Sequence, residues 1–126
     1  MKENTDYQLS TSVSDGILEI IIKGELTKNT IDRLHAEVIT IIRKEKAKAV
    51  LCDVRAARGP NDITAAYFRS RNIPSDVIKL PSAAVVELST NSDFKSFYET
   101  TAANAGHLAK FFTDIEAARA WLKSRL

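Results

Sequence analysis

The sequence predicts an α/β fold: a mixed, mostly parallel sheet of about five strands with helices packed on it. Three observations carry that prediction. Nearly unbroken apolar runs at residues 17–23, 49–54 and 83–88 have the composition of strands buried between layers. Between and after these runs, apolar residues recur at helical spacing with charged residues opposite. At the start, Asp15-Gly16 sits between two extended runs, a strong hairpin signal because both residues tolerate positive φ. Strands separated by helices pair in parallel, since a parallel pair needs a long crossover. The expected order is ββαβαβαβα.

Residues 7–13 alternate weakly and lead into the turn, so they form an antiparallel edge strand. Ile17, Leu18, Ile20, Ile21 and Ile22 come next almost without a break, as in a strand covered on both faces, and Gly24 and Glu25 end it. Thr27 can cap a helix by accepting from free backbone N–H groups. Ile31, Leu34, Val38, Ile41 and Ile42 form that helix's apolar stripe, and Asp32, Arg33, Glu37, Arg43, Lys44 and Glu45 its solvent side. Residues 46–48 turn into the strand at 49–54, and a loop is expected after Asp53 through Gly59-Pro60.

Asn61 or Asp62 would cap a short helix at 63–71. Residues 72–81 read as irregular, bracketed by Pro74 and Pro81. Beyond the strand at 83–88, Phe94, Phe97, Tyr98, Thr101, Ala102 and Ala105 are spaced for a helix stopping at Gly106. A short strand is expected at 108–112. Thr113-Asp114-Ile115-Glu116 reads as a capping box with Thr113 as the cap. Ile115, Ala118, Trp121 and Leu122 would line the inner face of the last helix.

With 126 residues, 44% of them apolar and 27% charged, the expectation is one globular domain spanning 1–126. A chain of this length needs no disulfide or metal to stabilise its core. The net charge of +2 is too small to argue for nucleic acid. Cys52 is the single cysteine; its apolar neighbours make it a small core residue, and a lone cysteine fits a reducing compartment. No apolar run approaches the ~20 residues that span a bilayer, and residues 1–6 do not resemble a signal peptide. The expected location is the cytoplasm.

The motifs that carry chemistry are sparse. His35 and His107 lie at no metal-ligand spacing from each other or from Cys52, so neither metal nor cofactor is expected. No Gly-rich phosphate cradle and no Gly-x-Ser-x-Gly elbow is present. Asp53 has no readable acid–base partner, so no catalytic residue is assigned and the protein is not expected to be an enzyme. Asp53 is better placed to bond the backbone amides that come after it. Arg55, Arg58, Arg69 and Arg71 flank the loop and helix beyond it, as either a solvated basic rim or an anion-binding pocket. Tyr67 and Phe68, adjacent on a short helix, cannot both face a core easily. With Ile73, Val77 and Ile78 they could form an apolar patch, unless residues 72–80 fold over them.

Several segments resemble the STAS-type domains of the SpoIIAA-like branch. "ILEIIIKGELTKNTIDRLHAEV" is similar to their opening strand, Gly-Glu-Leu-Thr and capped helix. "AVLCDV" resembles their central strand, ending in Asp53. "SAAVVEL" resembles the next strand, and "HLAKFFTDIEAARAWL" the closing strand and helix. The resemblance spans roughly residues 17–122 and implies a non-enzymatic, bacterial, cytoplasmic binding or regulatory module. Anti-sigma-factor antagonists of this type are switched by phosphorylation of a Ser at a helix N-terminus shortly after the central strand.

Here Asn61-Asp62-Ile63-Thr64 occupies the place of that Asp-Ser-Ser-Gly stretch. Asp62 stands where the switch Ser is expected, and Thr64 keeps a hydroxyl. Asp62 reads either as an ordinary first-turn acid or as a permanent imitation of the phosphorylated state. The expected binding residues are Asp53, Arg55, Arg58, Asp62, Thr64, Tyr67 and Phe68. The expected partner is a protein, including a second copy of the chain as a homodimer. The alternative is a carrier of a small lipid-like or nucleotide-like ligand, in an apolar cleft beside helix 63–71.

Overall fold

In the computed structural model, which describes residues 7–58, 74–86 and 108–126, the opening hairpin forms as its turn chemistry dictates. Asp15 and Gly16 both adopt positive φ, 56° and 84°, the signature of a two-residue turn matched to strand twist. This turn joins β1 (Tyr7–Ser14) to β2 (Ile17–Glu25), antiparallel from Tyr7↔Gly24 to Ser14↔Ile17. The Gly16 carbonyl accepts from the backbone N–H groups of both Lys48 and Ala49, at 2.8 and 3.3 Å. The hairpin thereby sets the start of β3 (Ala49–Arg58).

α1 (Lys28–Glu45) connects β2 to β3. Thr27 caps it as expected, and Thr30 completes a reciprocal box: each threonine hydroxyl accepts from the other's backbone N–H. The helix ends on Lys46 in the left-handed region, φ 53°, with its N–H bonded to Ile42 and Arg43 carbonyls. α2 (Ser75–Ile78), β4 (Ser82–Val85), β5 (Ala109–Phe112) and α3 (Ile115–Ser124) complete the described elements. The sheet order is β1-β2-β3-β4-β5, parallel at every pair beyond the first. This is the mixed, mostly parallel sheet expected from the apolar runs.

Alternation splits the sheet into two cores. On one face Leu18, Ile20, Ile22, Val50 and Cys52 meet Leu34, Val38 and Ile42 of α1, with Tyr7, Leu26 and Val77 closing the margins. On the other, Ile17, Ala49, Leu51, Ala83 and Val85 meet Ala118 and Leu122 of α3. Cys52 lies in the first core, as its neighbours implied.

Several expectations are corrected. β2 is not covered on both faces throughout, because α3 lies over β3–β5 and leaves Ile21 36% exposed. β3 does not end at Val54; it remains paired with β2 to Arg58. Residues 72–81 are not wholly irregular, since Pro74 starts the four-residue α2, and Val77 is core, not part of an exposed patch. The cap of α3 is Asp114, whose carboxylate accepts from the Ala117 N–H at 3.1 Å, and not Thr113. A carboxylate suits the partial positive charge of a helix start better than a hydroxyl. The expected helices at 63–71 and 94–105 lie outside the described residues.

Leu51 is fully buried on the central strand, so Leu51→Ala is expected to cost about 2–5 kcal/mol in urea unfolding. The Tyr7 hydroxyl donates to the Glu37 carboxylate, and burial first, then Glu37, pushes its pKa up to about 12. A raised folded pKa means this contribution is complete below the unfolded value of ~10 and fades as pH rises toward 12. Tyr7→Phe is therefore expected to remove part of the alkaline loss of stability, read from unfolding curves at pH 9 to 12.

Candidate functional site

Beyond Asp53 the ladder between β2 and β3 changes register. Ile21 pairs with Asp53, but the next pair is Lys23 with Ala56, so β3 carries one extra residue. Such a bulge bends its strand and re-aims side chains, and bulges concentrate near functional ends of sheets. Past it, Gly24↔Ala57 and Glu25↔Arg58 restore pairing, with Gly24 at φ 109°.

The bulge holds a compact ionic unit. One Asp53 carboxylate oxygen accepts from the Arg55 backbone N–H at 3.2 Å and from Arg55 Nε at 2.9 Å. The other accepts from Arg55 Nη2 at 2.7 Å. The two side chains are only two residues apart in the chain, a separation a long guanidinium side chain spans, and both lie at the bulge. The Asp53 side chain is 10% exposed and that of Arg55 41%. A carboxylate this buried needs a partner with matched geometry, and the planar guanidinium fork supplies it. Bonding to Arg55 holds the Asp53 carboxyl below the usual carboxylate range, with Lys23 adding a smaller pull.

On the same sheet face, two residue pairs down β2, Glu19 is gripped in the same way. Arg119 of α3 donates Nε to Oε2 at 2.7 Å and Nη2 to Oε1 at 2.9 Å, and its Nη1 reaches Glu116 at 2.6 Å. These carboxylates raise the pKa of Arg119. Nothing in the sequence pattern singles out Arg119 as a site residue. The signal it does carry is the Glu116–Arg119 spacing on one helix face, but Glu19 is 100 residues away in the chain and only the fold joins them.

Of the expected site residues, the structure joins Asp53 and Arg55 directly and places Arg58 at the end of the same strand, opposite Glu25. Asp53 does bond a backbone amide just beyond it, as expected, but within a bulged strand and not a loop. Asp62, Thr64, Tyr67 and Phe68 lie outside the described residues. An Asp53 carboxylate with a low pKa and both oxygens occupied is a poor proton acceptor. Among the described residues no cluster of three or more His, Cys, Asp or Glu side chains could hold a metal ion. No helix there is long and apolar enough to cross a membrane.

No family model and no curated protein matches this chain. Solved structures do match. An anti-sigma factor antagonist from Mycobacterium paratuberculosis has 13% identity, covers 93% of this chain and 94% of its own, and superposes with a TM-score of 0.59. An uncharacterised DUF3478 protein with a SpoIIAA-like fold from Shewanella loihica has 16% identity, coverage of 97% and 98%, and a TM-score of 0.60. The anti-sigma factor antagonist SpoIIAA in its unphosphorylated form has 15% identity, coverage of 90% and 96%, and a TM-score of 0.56. The fold of this chain is therefore SpoIIAA-like, as the resemblance in its segments implied.

Asp53→Asn is expected to cost about 1–3 kcal/mol at pH 7, since it removes charged hydrogen bonds to Arg55. The folded pKa of Asp53 is depressed, so its contribution is complete above the unfolded value near ~3.9 and is lost as pH falls through the folded one. The variant's stability should then fall less steeply than the wild type's below pH ~4, measured by urea titration at each pH.

Proposed function

We propose that this chain is a non-enzymatic, cytoplasmic binding module that regulates a protein partner, as two of its structural neighbours do by name. The observation that carries this reading is the state of Asp53. It is the one acidic side chain buried on its strand, and Arg55 neutralises and immobilises it. A site so arranged is unsuited to proton transfer but suited to presenting a fixed, partly exposed guanidinium to an acidic surface. The working surface is the end of β3 together with residues 59–71. Arg55 and Arg58 supply positive charge, Asp62 and Thr64 the stretch where related modules carry a switch, and Tyr67 and Phe68 the apolar anchors. Asp62 replaces the alcohol of that switch, so regulation through a phosphoserine at this position is absent.

The test begins with a partner isolated on the immobilised chain and then purified, its affinity measured by calorimetry. Tyr67→Ala and Arg55→Ala are each expected to weaken binding by about tenfold or more while the melting temperature of Tyr67→Ala stays unchanged. Unaltered affinity in both variants refutes the surface. Native mass spectrometry of the freshly purified chain supplies the other arm: a stoichiometric lipid or nucleotide mass would replace the binding module with a carrier.

A further inference from the structure

Among the described residues the first strand ends the sheet, and the strand itself carries none of the residue features that usually keep such an edge solitary. Natural edge strands are blunted by lysine, proline, bulges or brevity. β1 has eight residues, Tyr-Gln-Leu-Ser-Thr-Ser-Val-Ser, with no charge and no proline. Its register with β2 runs through eight consecutive pairs without a shift. From Ser10 to Ser14 every residue is exposed, and Val13 is 46% exposed although it lies on the apolar face beside Leu18.

The hairpin determines which groups of this edge point outward. A two-residue turn makes Ser14 and Ile17 the hydrogen-bonded pair, and antiparallel ladders alternate from there. Ser14, Ser12, Ser10 and Gln8 thus turn their N–H and C=O groups toward β2. Val13, Thr11 and Leu9 turn theirs away from it.

We propose that β1 is a homodimerisation edge, pairing antiparallel with β1 of a second copy across a two-fold axis at Thr11. Self-complementarity in that register identifies the occupant. Thr11 faces Thr11 of the second copy as a hydrogen-bonded pair, so both outward backbone groups are satisfied. Leu9 then lies opposite Val13 of the other copy on the α1 side of the sheet, and covers the valine the monomer leaves exposed. On the opposite side Ser10 meets Ser12, and Gln8 meets Ser14. No charge confronts a charge, and hydroxyl-bearing cross-strand pairs are favourable ones. A register one residue away would set inward-pointing backbone groups against outward ones, so the parity of the hairpin excludes it. Of the registers parity allows, the one centred on Thr11 sets Leu9 against the exposed Val13. The result is a continuous ten-stranded sheet, formed at the edge remote from β5 and independent of the Asp53 surface.

Sedimentation equilibrium on the full chain tests this. The wild type is expected to reach twice the monomer mass. Thr11→Lys sets two ammonium groups together at the axis and should weaken the dimer by at least about tenfold. Thr11→Pro removes an N–H that β2 does not use, so it should give a monomer with the wild-type circular dichroism spectrum. Ser12→Pro, which removes an N–H bonded to β2, should lower the melting temperature instead. A wild type that stays monomeric overturns the proposal, as does a dimer that survives Thr11→Lys with the fold intact. If Thr11→Pro itself fails to fold, the outward assignment of Thr11 is wrong and the register falls with it.

Discussion

Parallel pairing of β2 with β3 is the constraint on which the rest of the structure depends. β3 is the middle strand, and it is the floor of both cores: Val50 and Cys52 face α1, while Ala49 and Leu51 face α3. The hairpin fixes where it starts, because the Gly16 carbonyl accepts from the backbone N–H groups of both Lys48 and Ala49. A side chain on residue 16 would have to tolerate φ of 84° and would sit 3.2 Å from Lys48 Cδ. The turn that makes the edge hairpin therefore also registers the parallel sheet.

The same pairing explains the ionic architecture. Where β2 and β3 lose step, Arg55 pairs with Asp53; where they remain in step, Glu19 reaches Arg119. Burying a carboxylate without a matched partner costs several kcal/mol, and both acids meet that demand with a two-pronged guanidinium. These pairs sit where α3's cover gives out. Ile21, beside Asp53, is the apolar residue left at that boundary. By contrast, Arg43 with Asp76 joins α1 to α2 in the open, where solvent screens the pair and its worth is small.

Much of this is legible in the chain. The apolar run in 17–22, the Asp-Gly turn, the Thr27 cap and the stripe from Leu34 to Ile42 each have a local cause; the run forms a strand, and the turn, cap and stripe appear as the sequence implies. The departures share a different character. The end of β3 reads as a loop because Arg55, Ala56 and Ala57 show no apolar alternation, yet a neighbouring strand can hold polar residues in extended form. Thr113 and Asp114 can both cap; which does so depends on where the last strand delivers the chain. The Asp53 carboxylate bonds a nearby amide, as its position suggests, but its main partner is the Arg55 guanidinium two residues on.

Sequence alone thus determined what rests on short-range periodicity and turn chemistry: the five strands of the described residues, parallel beyond the first pair, two apolar faces, and a first strand without charge. Tertiary structure decided which carboxylate meets which arginine, how far β3 runs, and which apolar residues remain in water. Those outcomes depend on strand register and on the span of sheet a single helix can cover. Both are properties of elements placed side by side, and no local run of residues encodes them.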